Sequence, residues 1–241
     1  MQETFDYVRK ISAEMGCFSC TSRQYQDDIL QYLLANSDKG MGVIEIGCYK
    51  GGLTALLASV CKQFNWPLYS IDIDEKSVLS TINLLEALRL SENVEVINGT
   101  LQSFANEKKL SSRPSLIILD GDHQYDAVIR DIEAIYNLDY IPYAAVFHDY
   151  SLRHATTGER VDDAIRHCFG QHPVRNIGML MDGTSEYPTK EKPAEDGHWW
   201  NEPGSEGALM ELPMSLKSVA DSPEPAVSRP FFKLFSFRRG R

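Results

Sequence analysis

Hydrophobic and polar positions follow two alternating patterns along most of this chain. Short apolar runs, which are typical of buried strands, are separated by longer segments in which apolar residues recur at helical spacing. Strands that alternate with helices predict a parallel sheet with helices on both of its faces. The predicted strands cover residues 43–46, 68–73, 94–97, 116–119, 144–147 and 174–181.

The segments between these strands carry the apolar stripes of amphipathic helices. Residues 1–40 are predicted to form a leading helical segment, and residues 41–181 the core domain. Because a helix joins strands 116–119 and 144–147, these two strands are predicted to be parallel. The helices predicted within the core domain cover residues 53–64, 75–90, 126–136 and 160–169.

The alternation ends after residue 181. Residues 182–230 hold seven of the eleven prolines and ten acidic against four basic residues, which predicts a long irregular insertion. Residues 231–241 are predicted to form a final strand and a basic tail, because apolar side chains alternate along 231–237. That strand would pair antiparallel to 174–181, and a membrane-surface tail is the alternative interpretation.

The predicted fold class is therefore α/β: a Rossmann-like sheet of seven mostly parallel strands with the last strand antiparallel. Within the insertion, Trp199 and Trp200 predict either a lid over a substrate or a contact that holds the insertion to the domain.

Composition limits the function. The net charge of −10 argues against a nucleic-acid partner, which normally meets a basic protein face. No uncharged apolar run is long enough for a membrane span, so no membrane partner is expected. The five cysteines are scattered and odd in number, which favours reduced thiols and a cytoplasmic protein. A small-molecule substrate is the expectation that remains.

Polar side chains follow two neighbouring predicted strands. Asp120 and His123 come directly after strand 116–119, and His148 and Asp149 after strand 144–147. Ligand crevices of open α/β sheets lie at the carboxyl ends of the strands. We therefore predict an active site in which these four side chains meet.

A glycine-rich turn follows the first strand. The segment EIGCYKGG lets the backbone approach a ligand closely, and the helix after it presents free amides. Its spacing does not match the dinucleotide motif GxGxxG or a phosphate-binding loop. Asp72, at the end of the second strand, can accept hydrogen bonds from both hydroxyls of a ribose. A ribose-containing cofactor is predicted.

In this order, the segments EIGCYKGGLT, SIDID, NGT, DGDHQY and HDY resemble the class I S-adenosylmethionine-dependent methyltransferases. The last two segments are similar to a branch of small-molecule O-methyltransferases related to the catechol type. The resemblance implies S-adenosylmethionine as cofactor and methyl transfer to a hydroxyl of a small molecule. It also implies which residues contact the cofactor. The methionine portion would be contacted by Glu45, Gly47, Tyr49 and Gly51, and the ribose by Asp72. The adenine would be contacted by Thr100 and Gln102, and Asp120 would lie near the sulfonium.

In metal-dependent members of that branch a divalent ion is bound near two substrate oxygens, and the positions that match its ligands here are Asp120, His148 and Asp149. Because Mg²⁺ prefers oxygen ligands, the imidazole of His148 makes Mn²⁺ an alternative to Mg²⁺. His123 is predicted to be the general base, acting with Asp120 as the catalytic pair, since imidazole titrates near neutral pH. The alternative is that His123 only holds the turn.

Two other functions stay open at this point. One is a cofactor-binding or regulatory module without catalysis, and the other is a different metal-assisted chemistry on the same fold. The oligomeric state is also open, and a homo-oligomer is one of its alternatives.

Overall fold

The computed structural model describes residues 2–154, 156, 160–179, 187–202 and 204–216, and the statements below concern these residues. The helices are α1 (Gln2–Glu14), α2 (Arg23–Ala35), α3 (Gly52–Phe64), α4 (Glu75–Ala87), α5 (Leu101–Glu107), α6 (Tyr125–Ile135) and α7 (Val161–Phe169). The strands are β1 (Val43–Ile46), β2 (Leu68–Asp72), β3 (Val94–Asn98), β4 (Leu116–Leu119), β5 (Ala144–His148), β6 (Leu152–His154), β7 (Arg175–Met179), β8 (His198–Trp200) and β9 (Ser205–Glu211).

Seven of these strands form one sheet, in the order β3-β2-β1-β4-β5-β9-β7. Strands β1 to β5 pair in parallel, whereas β9 is antiparallel to both β5 and β7. Strand β7 therefore runs in the same direction as the first five. The predicted fold class is confirmed: a mostly parallel seven-stranded sheet with one antiparallel strand.

The identity of the antiparallel strand differs from the prediction. It is Ser205–Glu211, which lies inside the stretch 182–230 that was predicted to be irregular. Six of its seven residues are buried, and the small Gly207 and Ala208 break the polar-apolar alternation that marks a half-exposed strand. Strand β9 pairs with β7, the place predicted for 231–237. Residues 231–237 lie outside the described part of the chain.

Helices cover both faces of the sheet, as predicted. One hydrophobic cluster packs α1 to α4 on one face, and a second packs α5, α6 and α7 on the other. Most predicted elements lie within a few residues of the observed ones, and the crossover helix between β4 and β5 is confirmed as α6. The short helix α5 was not predicted. It has only seven residues, too few to show a clear apolar stripe.

The two tryptophans lie in β8, which pairs antiparallel with β6 immediately after the end of β5. Trp200 is opposite Leu152, and Trp199 is opposite Arg153. This pairing agrees with the interpretation that the tryptophans hold their segment to the domain. Among the described residues, no helix combines the length and the apolar character that a membrane crossing requires.

Candidate active site

The turn between β1 and α3 packs directly on the end of β4. Gly47 has φ +87°, and a Cβ on it would lie 1.9 Å from the carbonyl oxygen of Asp120. Gly51 has φ +83° and Tyr49 has φ +48°, so the turn needs left-handed backbone at three positions. The glycine-rich turn and the Asp120 segment therefore lie side by side at the carboxyl edge of the sheet.

Asp72, at the end of β2, holds this turn from the other side. Its Oδ2 accepts a hydrogen bond from the Tyr49 backbone N–H at 2.9 Å, and its Oδ1 accepts one from the Asp74 N–H at 2.9 Å. Asp74 caps α4 through the backbone N–H groups of Lys76 and Ser77, the role that is usual for an aspartate there. A carboxylate has about four acceptor positions, so Asp72 keeps free ones for a ligand.

Glu45 lies beneath the turn. Its Oε2 accepts hydrogen bonds from the hydroxyls of Thr54 and Ser70, both at 2.7 Å, and its Oε1 has no partner among the described residues. Burial raises the pKa of Glu45 to about 7, and the two hydroxyls only partly offset that effect. The structure thus places this carboxyl group in the core below the predicted methionine site.

Thr100 and Gln102 follow β3 at the same edge of the sheet. The Thr100 hydroxyl caps α5 by accepting from the Ser103 N–H at 3.2 Å. Gln102 Nε2 donates to Asp131 on α6 at 2.9 Å. Both side chains therefore have structural partners at the place where the resemblance puts the adenine.

Four predicted side chains meet beyond the ends of β4 and β5. His148 Nδ1 lies 2.7 Å from Asp120 Oδ1 and 3.5 Å from Asp149 Oδ1. His123 Nε2 lies 3.5 Å from Asp149 Oδ2 and 3.8 Å from Asp120 Oδ1. The two imidazole rings are 5.4 Å apart, edge to face. The sequence prediction that these side chains converge agrees with this geometry.

His148 Nδ1 has an unusual environment. It is buried and lies 2.7 Å from Asp120 Oδ1, yet within the described residues no hydrogen bond with ring N–H geometry reaches it. Ligand atoms of Asp120, His123 and His148 all lie within 4.8 Å of one another, an arrangement that could hold a metal ion. In this set His123 takes the place that the sequence interpretation gave to Asp149.

Sequence reasoning missed two members of the cluster, Glu206 and Tyr25. Glu206 on β9 lies 3.2 Å from His148 Nε2, and the Tyr25 ring on α2 packs edge-on against His148 with 5.1 Å between centroids. Neither residue belongs to a recognisable motif. Strand β9 also contains Ser205 and Glu211, so Glu206 does not stand out in its sequence.

The electrostatics of the cluster reflect its burial. Burial alone would lower the pKa of His148, but Asp120, Glu206 and Asp149 together outweigh it and raise that pKa well above its usual value. Burial raises the pKa of Asp149, and the imidazoles of His148 and His123 act in the opposite direction. Three carboxyl groups share this space with two imidazoles, so a cation bound among them would relieve carboxylate repulsion.

A cavity of about 230 Å³ lies beside the start of α3, next to the glycine-rich turn. Its walls come mainly from α1, α2 and the loop between them. The leading helices therefore enclose a space close to the glycine-rich turn. The residues that line it are Arg9, Ser12, Ala13, Cys17, Phe18, Ser19, Arg23, Gln26 and Gly52.

The chain is similar to known proteins in part of its sequence and in its fold. Residues 44–150, somewhat less than half of the chain, match the family model of a methyltransferase domain. No curated protein matches the chain in sequence. Two solved structures with similar folds are an O-methyltransferase from Bacillus cereus in complex with SAH and the O-methyltransferase TomG from Streptomyces achromogenes in complex with SAM.

The Bacillus cereus protein is 19% identical, with 86% of this chain and 89% of that chain covered and a TM-score of 0.55. TomG is 16% identical, with 88% of this chain and 90% of TomG covered and a TM-score of 0.55. A SAH-bound methyltransferase from Podospora anserina is 16% identical, with 60% of this chain covered and a TM-score of 0.45, and the chain spans 59% of its length. At these identities the likeness to the Bacillus cereus protein and to TomG shows the fold alone.

Proposed function

We propose that this chain is an S-adenosylmethionine-dependent methyltransferase that methylates a hydroxyl group of a small molecule. The observation that carries the proposal is the direct contact between Gly47 and Asp120, which brings a cofactor-type turn against the acid-imidazole cluster. The methyltransferase-domain match over residues 44–150 supports it. The O-methyltransferase folds that resemble this chain support the choice of a hydroxyl acceptor.

Each part of this edge has a role in the proposed reaction. S-adenosylmethionine, when bound, supplies the methyl group. Asp72 accepts the ribose hydroxyls, while the turn at Gly47, Tyr49 and Gly51 presents its backbone to the methionine portion. Asp120 lies at the boundary between the turn and the cluster, where its carboxylate would face the positively charged sulfonium of the bound cofactor. The protein aligns the hydroxyl with the methyl group and removes the hydroxyl proton.

The residues of the cluster also fit a divalent metal ion. Among the described residues, the buried His148 Nδ1 lacks a hydrogen bond of good geometry, and it forms two converging ligand positions with the adjacent Asp120 oxygen. Asp149 or His123 supplies a further ligand. An ion here would lower the pKa of the acceptor hydroxyl. Mixed nitrogen and oxygen ligands favour Mn²⁺ or another transition metal over Mg²⁺.

His123 has two possible roles, and one experiment separates them. As the general base it takes the acceptor proton at Nε2, so His123→Gln lowers the rate by about 10²- to 10⁴-fold and leaves Mn²⁺ affinity unchanged. If His123 is instead a metal ligand, His123→Gln lowers both the Mn²⁺ affinity and the rate. Electron paramagnetic resonance of Mn²⁺ titrated into the full chain measures that affinity. Asp149→Asn is measured in the same way, because Asp149 is the other candidate for the further ligand.

The cofactor assignment predicts the effect of a single substitution at Asp72. Asp72→Asn removes a charged acceptor of the ribose hydroxyls, so we expect S-adenosylmethionine affinity to fall roughly 10- to 100-fold by isothermal titration calorimetry. Asp74→Asn is the matched control, because asparagine caps a helix about as well as aspartate. Equal affinities for Asp72→Asn and the unsubstituted chain would contradict the assignment.

A further inference from the structure

Glu206 is a buried carboxylate that links three separate parts of the chain. It lies on β9, and only 4% of the residue is exposed. Its Oε1 accepts a hydrogen bond from the Ser22 backbone N–H at 2.7 Å, at the start of α2. The same oxygen lies 3.2 Å from His148 Nε2, at the end of β5. Glu206 thus joins α2, β5 and β9 at the back of the cluster.

Two glycines leave the space that this arrangement requires. A Cβ on Gly178, which has φ +59°, would lie 3.0 Å from Glu206 Oε2 and 2.7 Å from Tyr25 Cβ. A Cβ on Gly207 would lie 2.4 Å from Tyr25 Cε2. The Tyr25 ring fills the space and packs edge-on against the His148 imidazole. The imidazole is therefore fixed by an aromatic ring on one side and by a carboxylate at Nε2.

The contact at Nε2 decides which nitrogen of His148 carries a hydrogen. Glu206 Oε1 already accepts the Ser22 N–H and so faces His148 as an acceptor, which makes the ring nitrogen that faces it the donor. Nε2 then keeps its hydrogen whether or not Nδ1 is protonated. Nδ1 is left facing Asp120 and Asp149, which is the side where the proposed ion would bind. A carboxylate that orients a metal-binding imidazole in this manner raises its basicity and metal affinity.

We propose that Glu206 is the positioning residue of the cluster: it holds the Nε2–H of His148 and so directs Nδ1 toward Asp120. The metal-binding consequence rests on the function proposed above, whereas the orientation of His148 does not. Glu206 acts through His148 and makes no contact with the reacting atoms in this role.

The orientation is tested on the metal-free full chain by NMR with ¹⁵N-labelled histidine. We expect a slowly exchanging, downfield proton on His148 Nε2, assigned by its loss in His148→Gln. Glu206→Ala exposes that proton to exchange and removes the signal. Glu211→Gln, which changes an exposed carboxylate on the same strand, keeps it. A signal that survives in Glu206→Ala, or a slowly exchanging proton found on Nδ1 alone, overturns the proposal.

The consequence for metal binding is tested with Co²⁺, whose visible absorption reports its ligands. Removing a carboxylate that supports a metal-binding histidine typically costs 10- to 100-fold in affinity, and we expect that loss for Glu206→Ala with Glu211→Gln unchanged. Unchanged Co²⁺ affinity and spectrum in Glu206→Ala overturn the positioning role at the metal. Failure of the unsubstituted chain to bind Co²⁺ instead refutes the metal in the proposed function, while the NMR result still decides the orientation of His148.

Discussion

At the scale of single residues, the site depends on polar groups that are buried with few partners. Glu45 is one of them: its carboxyl group is in the core beneath the glycine-rich turn, and among the described residues it accepts hydrogen bonds from Thr54 and Ser70. Burial favours its protonated form, and its pKa is raised from 4.5 to about 7. The protonation of this one residue therefore affects both the stability of the fold and the packing under the turn.

Glu45 predicts a specific dependence of stability on pH. Because its pKa is higher in the folded state, its contribution is fully present below about pH 4.5 and is lost as the pH rises to about 7. The loss is on the order of 3 kcal/mol. The side chain of Glu45→Gln cannot ionise. Urea unfolding of this variant between these pH values should therefore show a free energy of unfolding that depends less on pH than that of the unsubstituted chain. Glu86→Gln, at an exposed position on α4, should leave the pH dependence of the free energy of unfolding unchanged. The same pH dependence in Glu45→Gln as in the unsubstituted chain would contradict the role of Glu45.

How far the sequence could predict these residues depends on where they lie. Asp120, His123, His148 and Asp149 directly follow apolar strands, so their convergence could be predicted from the order of strands and helices. Glu206 is 58 residues from His148 and 184 from Ser22, and nothing local marks those contacts. They exist only once the sheet order is known.

At the scale of elements, strand β9 completes both the sheet and the site. It separates β5 from β7, carries Glu206, and passes the Tyr25 ring at Gly207. The parallel strands were predicted because each is an apolar run bounded by turns. Strand β9 was not predicted, because it contains a buried glutamate and a glycine, which lower strand propensity.

Strand β9 approaches α2 so closely that a side chain added at Gly207 would clash with the Tyr25 ring. Gly207→Ala places a methyl group 2.4 Å from the Tyr25 ring and 3.0 Å from the Phe147 carbonyl oxygen, so the ring must move. We expect a loss of about 1–3 kcal/mol in the free energy of unfolding. Gly121→Ala is the matched control, since its nearest neighbour would be at 3.5 Å. Equal stability of the two variants would show that Tyr25 is not held in this way.

At the scale of the whole molecule, the sheet order brings distant segments to one edge. The turn after β1, Asp72 after β2, and the clusters after β4 and β5 all lie at the carboxyl ends of neighbouring strands. Helix α2 and strand β9 close the edge behind His148. The sequence order of these parts predicts the architecture, whereas the closure by α2 and β9 is a property of the folded chain.

The most direct measurement is a crystal structure of the full chain with S-adenosylhomocysteine and Mn²⁺, with diffraction data collected at the manganese absorption edge. The account predicts ribose hydroxyls within hydrogen-bonding distance of the Asp72 carboxylate and the cofactor sulfur beside Asp120. It predicts an anomalous peak between Asp120 and His148 Nδ1. A cofactor bound away from Asp72 and the glycine-rich turn would contradict the proposed function, and manganese bound elsewhere would contradict the proposed metal site.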